Sequence, residues 1–361
     1  MSNGARITEL PYDAVIGTGE GVTEVKEKSA RVAVVQEHDN DSSDEEAVTE
    51  EEPEVEDEEI LASLPADVED IDLNHSRLKS VSRLGLQRFT QLKRLCLRQN
   101  HITKLDPEAF STLKEVEDVD LYDNQLKTIG DAFKECRKLE SLDLSFNLLR
   151  HVPDNLANHP DMHTIYFVQN KISQISSLEP LSRTLRSIEL GGNKIRRIEG
   201  LESLVNLEQL WLGKNKITKL EGLQNLKKLK VLSIQSNRIT KMEGLEALEN
   251  LEQLLLSHNG IEKMEGLEKN VNLRTLDIAG NFVTELENVS HLTQLEDLWM
   301  NNNKIESLQN LEAQLKHIET LDTIYLEHNP VQEKEGANYR RKVILALPQI
   351  SQLDATYVKQ V

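Results

Sequence analysis

Cysteine and aromatic residues are scarce in this chain of 361 residues, which contains two Cys and only 4% Phe, Trp and Tyr. Disulfide frameworks belong to oxidising compartments and need closely placed pairs of Cys. Cys96 and Cys136 are far apart in the sequence, so we predict no disulfide and a reducing compartment.

Long apolar runs are also missing, since none approaches the ~18 residues of a membrane-spanning helix. The N-terminus lacks the basic start and apolar core of a secretory signal. The sequence contains no C-x-x-C pair, no H-E-x-x-H and no P-loop. His258 and His328 are the most regularly placed histidines, but they are too far apart to share a metal. We therefore expect no membrane span, no catalysis, no cofactor and no metal site.

Acidic residues are abundant and give a formal net charge of −20. Many of them lie in residues 1–59, where a block from Asp41 to Glu59 repels itself and has little apolar surface to bury. We therefore predict that residues 1–59 form a disordered acidic tail. Ser42 and Ser43 have acidic residues three positions downstream, which favours phosphorylation by acid-directed kinases. The alternative is a tail that only increases solubility.

An asparagine recurs at nearly constant spacing along the rest of the chain. From Asn193 to Asn303 the interval is 22 residues every time, and the whole series is Asn100, Asn124, Asn147, Asn170, Asn193, Asn215, Asn237, Asn259, Asn281, Asn303 and Asn329. A fixed period in the range of 20–50 residues indicates stacked repeats, because one such unit cannot bury its apolar face alone.

The residues before each Asn follow the pattern L-x-x-L-x-L/I-x-x-N, as from Leu229 to Asn237. Alternating core residues such as Leu210 and Leu212 predict a short strand. The Asn amide can donate to and accept from backbone groups that lose their partners where the chain turns inward. This is the leucine-rich-repeat signature. About twelve coils at about 4.8 Å spacing would form an arc of roughly 50–55 Å.

A second motif, I-x-x-I/L/M-E-G-L, follows Asn193, Asn215, Asn237 and Asn259. Its Gly permits a tight or positive-φ bend. The few residues left for the return segment are too few for a long α-helix, so we predict short 3₁₀ turns. The fold class is thus an α/β solenoid: a leucine-rich-repeat arc with a parallel concave β-sheet, a 3₁₀ or helical convex side and a C-terminal helical cap.

The ends of the repeat array deviate from the pattern, as is typical of capping repeats. The first coil has Ser76 in place of the Asn, and residues 339–348 predict a helix that ends near Pro348. Ile350 and Leu353 provide a last apolar edge. We therefore divide the chain into the tail at 1–59, the solenoid at 60–330 and a C-terminal cap at 331–361.

The outward positions of the strands define the concave face. The middle outward position of successive coils holds Asp72, Cys96, Asp120, Asp143, Tyr166, Glu189, Trp211, Ser233, Leu255, Asp277, Trp299 and Tyr325. Neighbouring outward positions add Asp70, Asp118, Tyr122, Asp297 and Glu327, and Arg94 and Arg98 are the basic exceptions. Carboxylates thus alternate with large aromatic residues along the arc.

Exposed Trp and Tyr at such positions are typical of protein interfaces. The alternative is that they fill gaps between adjacent strands. Carboxylates would steer and orient a basic partner, or would only keep the surface soluble. An acidic sheet also argues against nucleic acid, which needs Lys and Arg facing its phosphates.

The repeats and the cap together resemble the regulatory subunit 7 family of protein phosphatase 1. The resemblance is carried by the 22-residue units with N-x-I-x-x-I-E-G-L, by the cap from Asn329 to Pro348 and by the acidic leader. It covers roughly residues 60–361. The 22-residue unit alone also occurs in other intracellular repeat proteins.

The resemblance implies a non-catalytic regulatory subunit that binds the phosphatase catalytic subunit through its concave face and affects its activity, maturation or localisation. The implied contact residues are Asp143, Tyr166, Glu189, Trp211, Asp277, Asp297, Trp299 and Tyr325. It also implies a ternary complex with a small inhibitor protein, and residence in nucleus and cytoplasm. Tyr166 stands where the family can carry another aromatic residue.

Many phosphatase partners dock with a basic residue, Val, any residue and then Phe or Trp. The nearest match here, residues 31–34, lacks the final aromatic residue, so we expect the folded arc to hold the partner. With both solenoid ends covered, we expect a monomer when free. The alternative function is a scaffold for an RNA-processing or cytoskeletal assembly.

Overall fold

The computed structural model describes residues 29–31, 60–156 and 159–358. These residues form one fifteen-stranded sheet in which the strands lie in sequence order. The strands are β1 (Ser29–Arg31), β2 (Asp70–Asp72), β3 (Arg94–Cys96), β4 (Asp118–Asp120), β5 (Ser141–Asp143), β6 (Thr164–Tyr166), β7 (Ser187–Glu189), β8 (Gln209–Trp211), β9 (Val231–Ser233), β10 (Gln253–Leu255), β11 (Thr275–Asp277), β12 (Asp297–Trp299), β13 (Thr323–Tyr325), β14 (Gln352–Leu353) and β15 (Thr356–Tyr357).

Each coil contributes one short strand. Strands β1 to β13 each pair in parallel with the next strand, and β14 and β15 pair antiparallel. The central residue of each strand from β2 to β13 is buried between two outward residues, as in Gln209-Leu210-Trp211. Leu210 and Leu212 are fully buried. The repeat pattern therefore forms the predicted solenoid, with twelve coils from β2 to β13.

The repeat asparagines tie each coil to the one before it. From Asn100 to Asn303, Nδ2 donates to one carbonyl of the preceding coil and to two of its own coil, and Oδ1 accepts a main-chain N–H of the preceding coil. In Asn281, Oδ1 accepts from Ile261 N at 3.0 Å and Nδ2 donates to Leu256 O at 3.1 Å. The predicted donor and acceptor role of the Asn is confirmed.

Replacing Asn281 with alanine is expected to lower the free energy of unfolding by ~1–3 kcal/mol. Asn281 is 3% exposed, so the main-chain groups that it satisfies would lose their partner without gaining water. Urea denaturation would measure the loss. The matched control is Asn225→Ala, because this exposed side chain makes a single bond, to Glu202 O at 2.8 Å. If the two variants unfold at the same midpoint, the Asn ladder does not stabilise the coils.

The residue before each repeat Asn has a positive φ, a feature that the sequence pattern did not predict. Except at His328, its main-chain N–H donates to a main-chain carbonyl of the next coil, for example from Lys214 N to Gln235 O at 2.8 Å. The left-handed conformation turns the following Asn side chain into the core. It occurs at Gln99, Asp123, Phe146, Gln169, Gly192, Lys214, Ser236, His258, Gly280, Asn302 and His328.

The glycines of the second motif have φ values between +69° and +74°, and they lie against the preceding coil. A Cβ on any of them would come within 2.4–2.6 Å of a carbonyl oxygen of that coil. The sequence prediction of a positive-φ bend is confirmed. The structure adds a second reason for the Gly, which is close backbone approach. The four residues are Gly200, Gly222, Gly244 and Gly266.

The convex side consists mostly of single turns. In the central coils two successive turns are closed by i to i+3 hydrogen bonds, as from Leu226 N to Leu223 O and from Leu229 N to Leu226 O, both 3.0 Å. Defined helices among the described residues are α1 (Pro107–Phe110), α2 (Leu311–Leu315), α3 (Pro330–Glu335), α4 (Tyr339–Ala346) and 3₁₀ turns at Leu86–Arg88, Glu179–Leu181 and Gly336–Asn338.

One column of the core runs behind the sheet and is mostly leucine, but two coils place polar side chains in it. His159 is 2% exposed and its Nδ1 lies 3.1 Å from Cys136 O. Asn270 is fully buried and donates to Leu248 O at 2.9 Å. The column comprises Phe89, Leu113, Cys136, His159, Leu181, Leu204, Leu226, Leu248, Asn270 and Leu292.

Replacing His159 with leucine is expected to reduce the decrease in the free energy of unfolding that occurs as the pH falls. Burial lowers the pKa of His159, so the unfolded chain binds a proton more readily than the folded chain. The contribution of His159 to the free energy of unfolding is therefore complete above about pH 6.5, the pKa of histidine in an unfolded chain. This contribution is lost as the pH falls through that value. Urea denaturation at several pH values would show this, with exposed His101→Gln as control. Parallel pH profiles for wild type and His159→Leu would refute the expectation.

The N-terminal edge of the sheet carries one strand from the acidic leader. β1 pairs with β2 in register, with Ser29 opposite Asp70 and Arg31 opposite Asp72. These three residues fall within the segment for which we predicted disorder, and they differ from that prediction. The other residues of 1–59, including Ser42, Ser43 and residues 32–34, lie outside the described residues.

The C-terminal cap closes the last coil. α4 corresponds to the helix predicted from the sequence, and Ile350 and Leu353 are buried. Asp354 Oδ1 accepts from Leu326 N at 2.8 Å and its Oδ2 accepts from the Tyr339 hydroxyl at 3.1 Å. Asp354 therefore satisfies main-chain N–H groups at the position where another coil would supply a strand carbonyl, as Tyr325 O does for Met300 N.

Candidate protein-binding face

The middle outward residues form one continuous row across the concave face, because neighbouring strands pair in register. The row places Asp143, Tyr166, Glu189 and Trp211 on successive strands β5 to β8. We call these four residues the first cluster. With strands about 4.8 Å apart, adjacent members are close enough to contact the same partner group.

The second cluster lies three strands further on and comprises Asp277, Asp297, Trp299 and Tyr325. Asp277, Trp299 and Tyr325 occupy the row on β11, β12 and β13. Asp297 begins β12 on the same face. Ser233 and Leu255 separate the two clusters within the row. The structure thus brings the eight predicted contact residues together as two groups on one face.

The first cluster places one aromatic ring between two carboxylates. Tyr166 is half-buried and is flanked in register by Asp143 and Glu189. Burial raises the pKa of both carboxyl groups, and the charge of Asp143 further raises the pKa of Glu189. A cation placed over this ring would relieve the repulsion and would also face the ring's negative π surface.

The second cluster is held by contacts between its members and the cap. The rings of Trp299 and Tyr325 meet edge to face with centroids 6.4 Å apart. The Tyr325 hydroxyl accepts from Gln352 Nε2 at 2.7 Å. Thr275 Oγ1 donates to Asp297 Oδ2 at 3.4 Å, and burial raises the pKa of Asp297. The aromatic pair is therefore in a fixed orientation.

Asp277 differs from the expectation of an exposed contact residue. It is only 3% exposed, and its Oδ1 accepts from Ala279 N at 3.0 Å. Its Oδ2 accepts weakly from Gln235 Nε2 at 3.4 Å. Its in-register neighbours on β10 and β12 are the larger Leu255 and Trp299. In this structure Asp277 orients the end of β11 and supports the cluster from below.

A main-chain bond of this kind recurs along the row and was missed by the sequence reasoning. In four coils the middle outward Asp accepts the main-chain N–H two residues later. The donors are Asn74 for Asp72, Tyr122 for Asp120, Ser145 for Asp143 and Ala279 for Asp277. An Asp at the last position of a strand could have indicated it. Part of the acidity of this face is therefore structural.

The two tryptophans are half-buried, so each contacts its neighbours and still presents part of its ring. The indole Nε1 of Trp299 is inaccessible and has no hydrogen-bond partner among the residues that the structure describes. This geometry is compatible with both alternatives, gap filling and partner contact.

A further aromatic group lies at the N-terminal half of the concave face. The Arg98 guanidinium stacks over Tyr122 at 4.4 Å and also pairs with Asp120 at 3.2 Å. Tyr122 packs against Phe146 with centroids 4.8 Å apart. Phe146 is 40% exposed and has a φ of +54°, which is rare for a bulky residue. The sequence signal is an aromatic residue directly before a repeat Asn.

The described residues show neither a metal site nor a membrane-spanning helix. Over residues 60–156 and 159–358, no group of three or more His, Cys, Asp and Glu side chains is arranged to hold a metal ion. Within the described part of the chain, no helix combines the length and apolar character that a bilayer crossing requires. Cys96 and Cys136 are free thiols, and burial raises the pKa of each to about 12.

Comparison with known proteins agrees with this architecture. Family models described as "Leucine rich repeat", "Leucine-rich repeat" and "Leucine Rich repeats (2 copies)" match residues 90–149, 183–288 and 271–313. A leucine-rich-repeat protein of Leptospira interrogans superposes with a TM-score of 0.63 at 21% identity, over 81% of this chain and 86% of that one. The three matched stretches and this superposition show that the chain has the leucine-rich-repeat fold.

Within this class the chain is similar to named phosphatase regulators. It is 47% identical over 95 residues to "Protein phosphatase 1 regulatory subunit SDS22" of Saccharomyces cerevisiae, covering 26% of this chain and 28% of the relative. It is 40% identical over 154 residues to "Protein phosphatase 1 regulatory inhibitor subunit PPP1R7 homolog" of Arabidopsis thaliana, covering 41% and 45%. The resemblance predicted from the sequence is confirmed. The matched segments span less than half the length of these relatives.

Proposed function

We propose that this chain is a non-catalytic regulatory subunit that binds the catalytic subunit of protein phosphatase 1 through its concave face. The proposal is supported by the names of its relatives. The observation that carries the contact surface is the in-register row with its two acidic and aromatic clusters. The proposed contact residues are those of the two clusters, with Asp277 acting as a support.

The chemistry of the clusters fits a partner surface with basic side chains. An Arg or Lys of the partner over Tyr166 would lie between Asp143 and Glu189. These carboxylates are already partly desolvated, so a cation would cost little further desolvation and would restore their charge balance. Trp211 and Trp299 would provide the apolar contacts that determine the dissociation rate.

Lowering the pH is expected to weaken this complex. The raised pKa values mean that the free concave carboxyl groups take up protons earlier as pH falls than ordinary ones do. A basic partner requires the charged form, so binding at mildly acidic pH must release protons and affinity falls as pH falls. Calorimetry at pH 7.5 and pH 5.5 would measure both effects. A double variant, Asp143→Asn with Glu189→Gln, should bind more weakly but with a smaller pH dependence. An equal pH dependence in wild type and variant would contradict the assignment.

The proposal itself is tested by titrating the purified full chain into the catalytic subunit. We expect a one-to-one complex that resists an excess of a peptide with the basic-Val-x-Phe motif, because the concave face docks elsewhere on the phosphatase. Failure to form a complex at micromolar concentrations, with a phosphatase that still binds the peptide, would refute the proposal. Displacement of the chain by the peptide would refute concave docking.

Finer aspects of the proposal follow from the family resemblance. We propose a role in phosphatase activity, maturation or localisation, a ternary complex with a small inhibitor protein, residence in nucleus and cytoplasm, and a monomeric free state. Affinity purification with mass spectrometry separates this function from the scaffold alternative. Recovery of the phosphatase supports it. Recovery of only RNA-processing or cytoskeletal components would favour the scaffold.

A further inference from the structure

A concentration of basic residues lies at the edge formed by the carboxyl ends of four successive strands, β6 to β9. The chain segments 169–174, 192–197, 214–219 and 236–241 occupy this edge. They contain nine Lys or Arg and no Asp or Glu. We call this set the basic flank: Lys171, Lys194, Arg196, Arg197, Lys214, Lys216, Lys219, Arg238 and Lys241.

The central column of the basic flank is fixed by main-chain hydrogen bonds between coils. Lys194 N donates to Ile172 O and Lys216 N donates to Ile195 O, both at 2.8 Å. Lys171 and Arg238 make the equivalent bonds to the coils before them. Their side chains therefore start from points about 4.8 Å apart on a rigid ladder. A linear anionic partner lying across the coils could contact all four.

Glutamates next to the flank balance only part of this positive charge. Arg197 pairs with Glu221 at 3.1 Å, Lys219 with Glu243 at 3.6 Å, and Lys241 with Glu243 and Glu265 at 3.8 Å. The remaining six cations make no ion pair among residues 60–156 and 159–358. All but one of them are exposed. They are Lys171, Lys194, Arg196, Lys214, Lys216 and Arg238.

We propose that the basic flank binds the acidic block of the same chain, residues 41–59. This block contains twelve Asp or Glu and no Lys or Arg. The concave face repels it, because that face is itself acidic. The basic flank is the surface of opposite sign. This interaction is separate from the proposed phosphatase contact. The phosphatase contact lies on the outward face of the strands, whereas the basic flank is formed by the segments that follow their carboxyl ends.

The length of the segment and its attachment points permit this contact. The block ends immediately before Ile60, and β1 and β2 place both ends of the intervening chain at the first coil. The flank begins four strands away, at a distance of about 20 Å. An extended segment of this length spans up to about 60 Å. Tethering gives it an effective concentration in the mM range, which favours it over a free anionic partner.

Zero-length carbodiimide cross-linking of the full chain tests the contact, because it joins only Lys amines and carboxylates in direct proximity. We expect adducts between residues 41–59 and Lys171, Lys194 and Lys216. Adducts to exposed Lys104 and Lys127 should be about fivefold fewer, although these lysines lie nearer to the tether. Salt at about 1 M should abolish the preference. Equal adducts at all five lysines, or adducts that grow with protein concentration, would overturn the proposal.

A second measurement separates the tethered block from other anions. A synthetic peptide of residues 41–59 is titrated into the full chain and into a full-length variant with Asn and Gln in place of the acidic residues of the block. The variant should bind the peptide at least about tenfold more tightly, because its flank is vacant. Equal binding would refute self-occupancy. An RNA oligonucleotide that binds both chains equally would also overturn the proposal.

Discussion

Replacing Trp299 with alanine is expected to weaken binding of the phosphatase catalytic subunit by about thirtyfold or more, which corresponds to ~2 kcal/mol. The indole is half-buried against Tyr325, so the change removes the partner contact and also frees the neighbouring ring. A fixed aromatic pair loses little conformational entropy on binding, which is why its removal has a large effect. Calorimetry or surface plasmon resonance would measure the change, mainly as faster dissociation.

The matched control is Phe282→Ala. Phe282 is 52% exposed and directly follows a repeat Asn, so it lies outside the concave row. Its removal should leave affinity within about twofold. Unchanged circular dichroism and melting would exclude unfolding of Trp299→Ala. If both variants bind like wild type, or if both lose affinity equally, the second cluster is not the contact surface.

Replacing Gly222 with alanine is expected to lower the free energy of unfolding by ~2–4 kcal/mol. A Cβ there would lie 2.4 Å from Ile198 O, and φ is +72°. The obstacle is the backbone of the neighbouring coil, which cannot rotate away as a side chain can. The two coils must separate locally, and their shared hydrogen bonds would lengthen. Chemical denaturation would measure the loss.

Gly130→Ala provides the control for the conformational part of this effect. Gly130 also has a positive φ, of +51°, but no atom lies within 4 Å of the position that an alanine methyl group would take there. It should lose only about 1 kcal/mol, which is the cost of the left-handed conformation alone. The difference between the two variants isolates the cost of pushing coils apart. Equal losses in the two variants would show that the neighbouring coil moves away from a methyl group at position 222 at little cost in free energy.

Much of the fold could be predicted because the repeat imposes one solution many times. The spacing of Asn, the alternating Leu and the Gly of the second motif each describe a local requirement, and stacking satisfies all of them together. The helix that begins at Tyr339 was predictable because Pro348 marks its C-terminal boundary. The sequence also assigned residues such as Trp211 to the outward face correctly, because a strand has a period of two.

The depth of each outward residue could not be predicted in this way. A period of two gives the face but not the accessibility, which depends on the size of side chains on neighbouring strands. Asp277, in register with Leu255 and Trp299, is buried, whereas Asp297 is half-buried on the next strand. Edge pairing of β1 also escaped prediction, because its three residues lack the repeat pattern. The basic flank required knowledge of which segments share an edge.

The uniform pairing of the strands has a consequence for recognition. Trp211 and Trp299 are separated by four strand intervals, or roughly 19 Å, and no hinge interrupts the register between them. The arc therefore acts as a ruler: a partner must match the gap between two anchoring points as well as their chemistry. Evolution could retune such a ruler by gaining or losing one whole coil, which would change the span by a single step and leave both anchors intact.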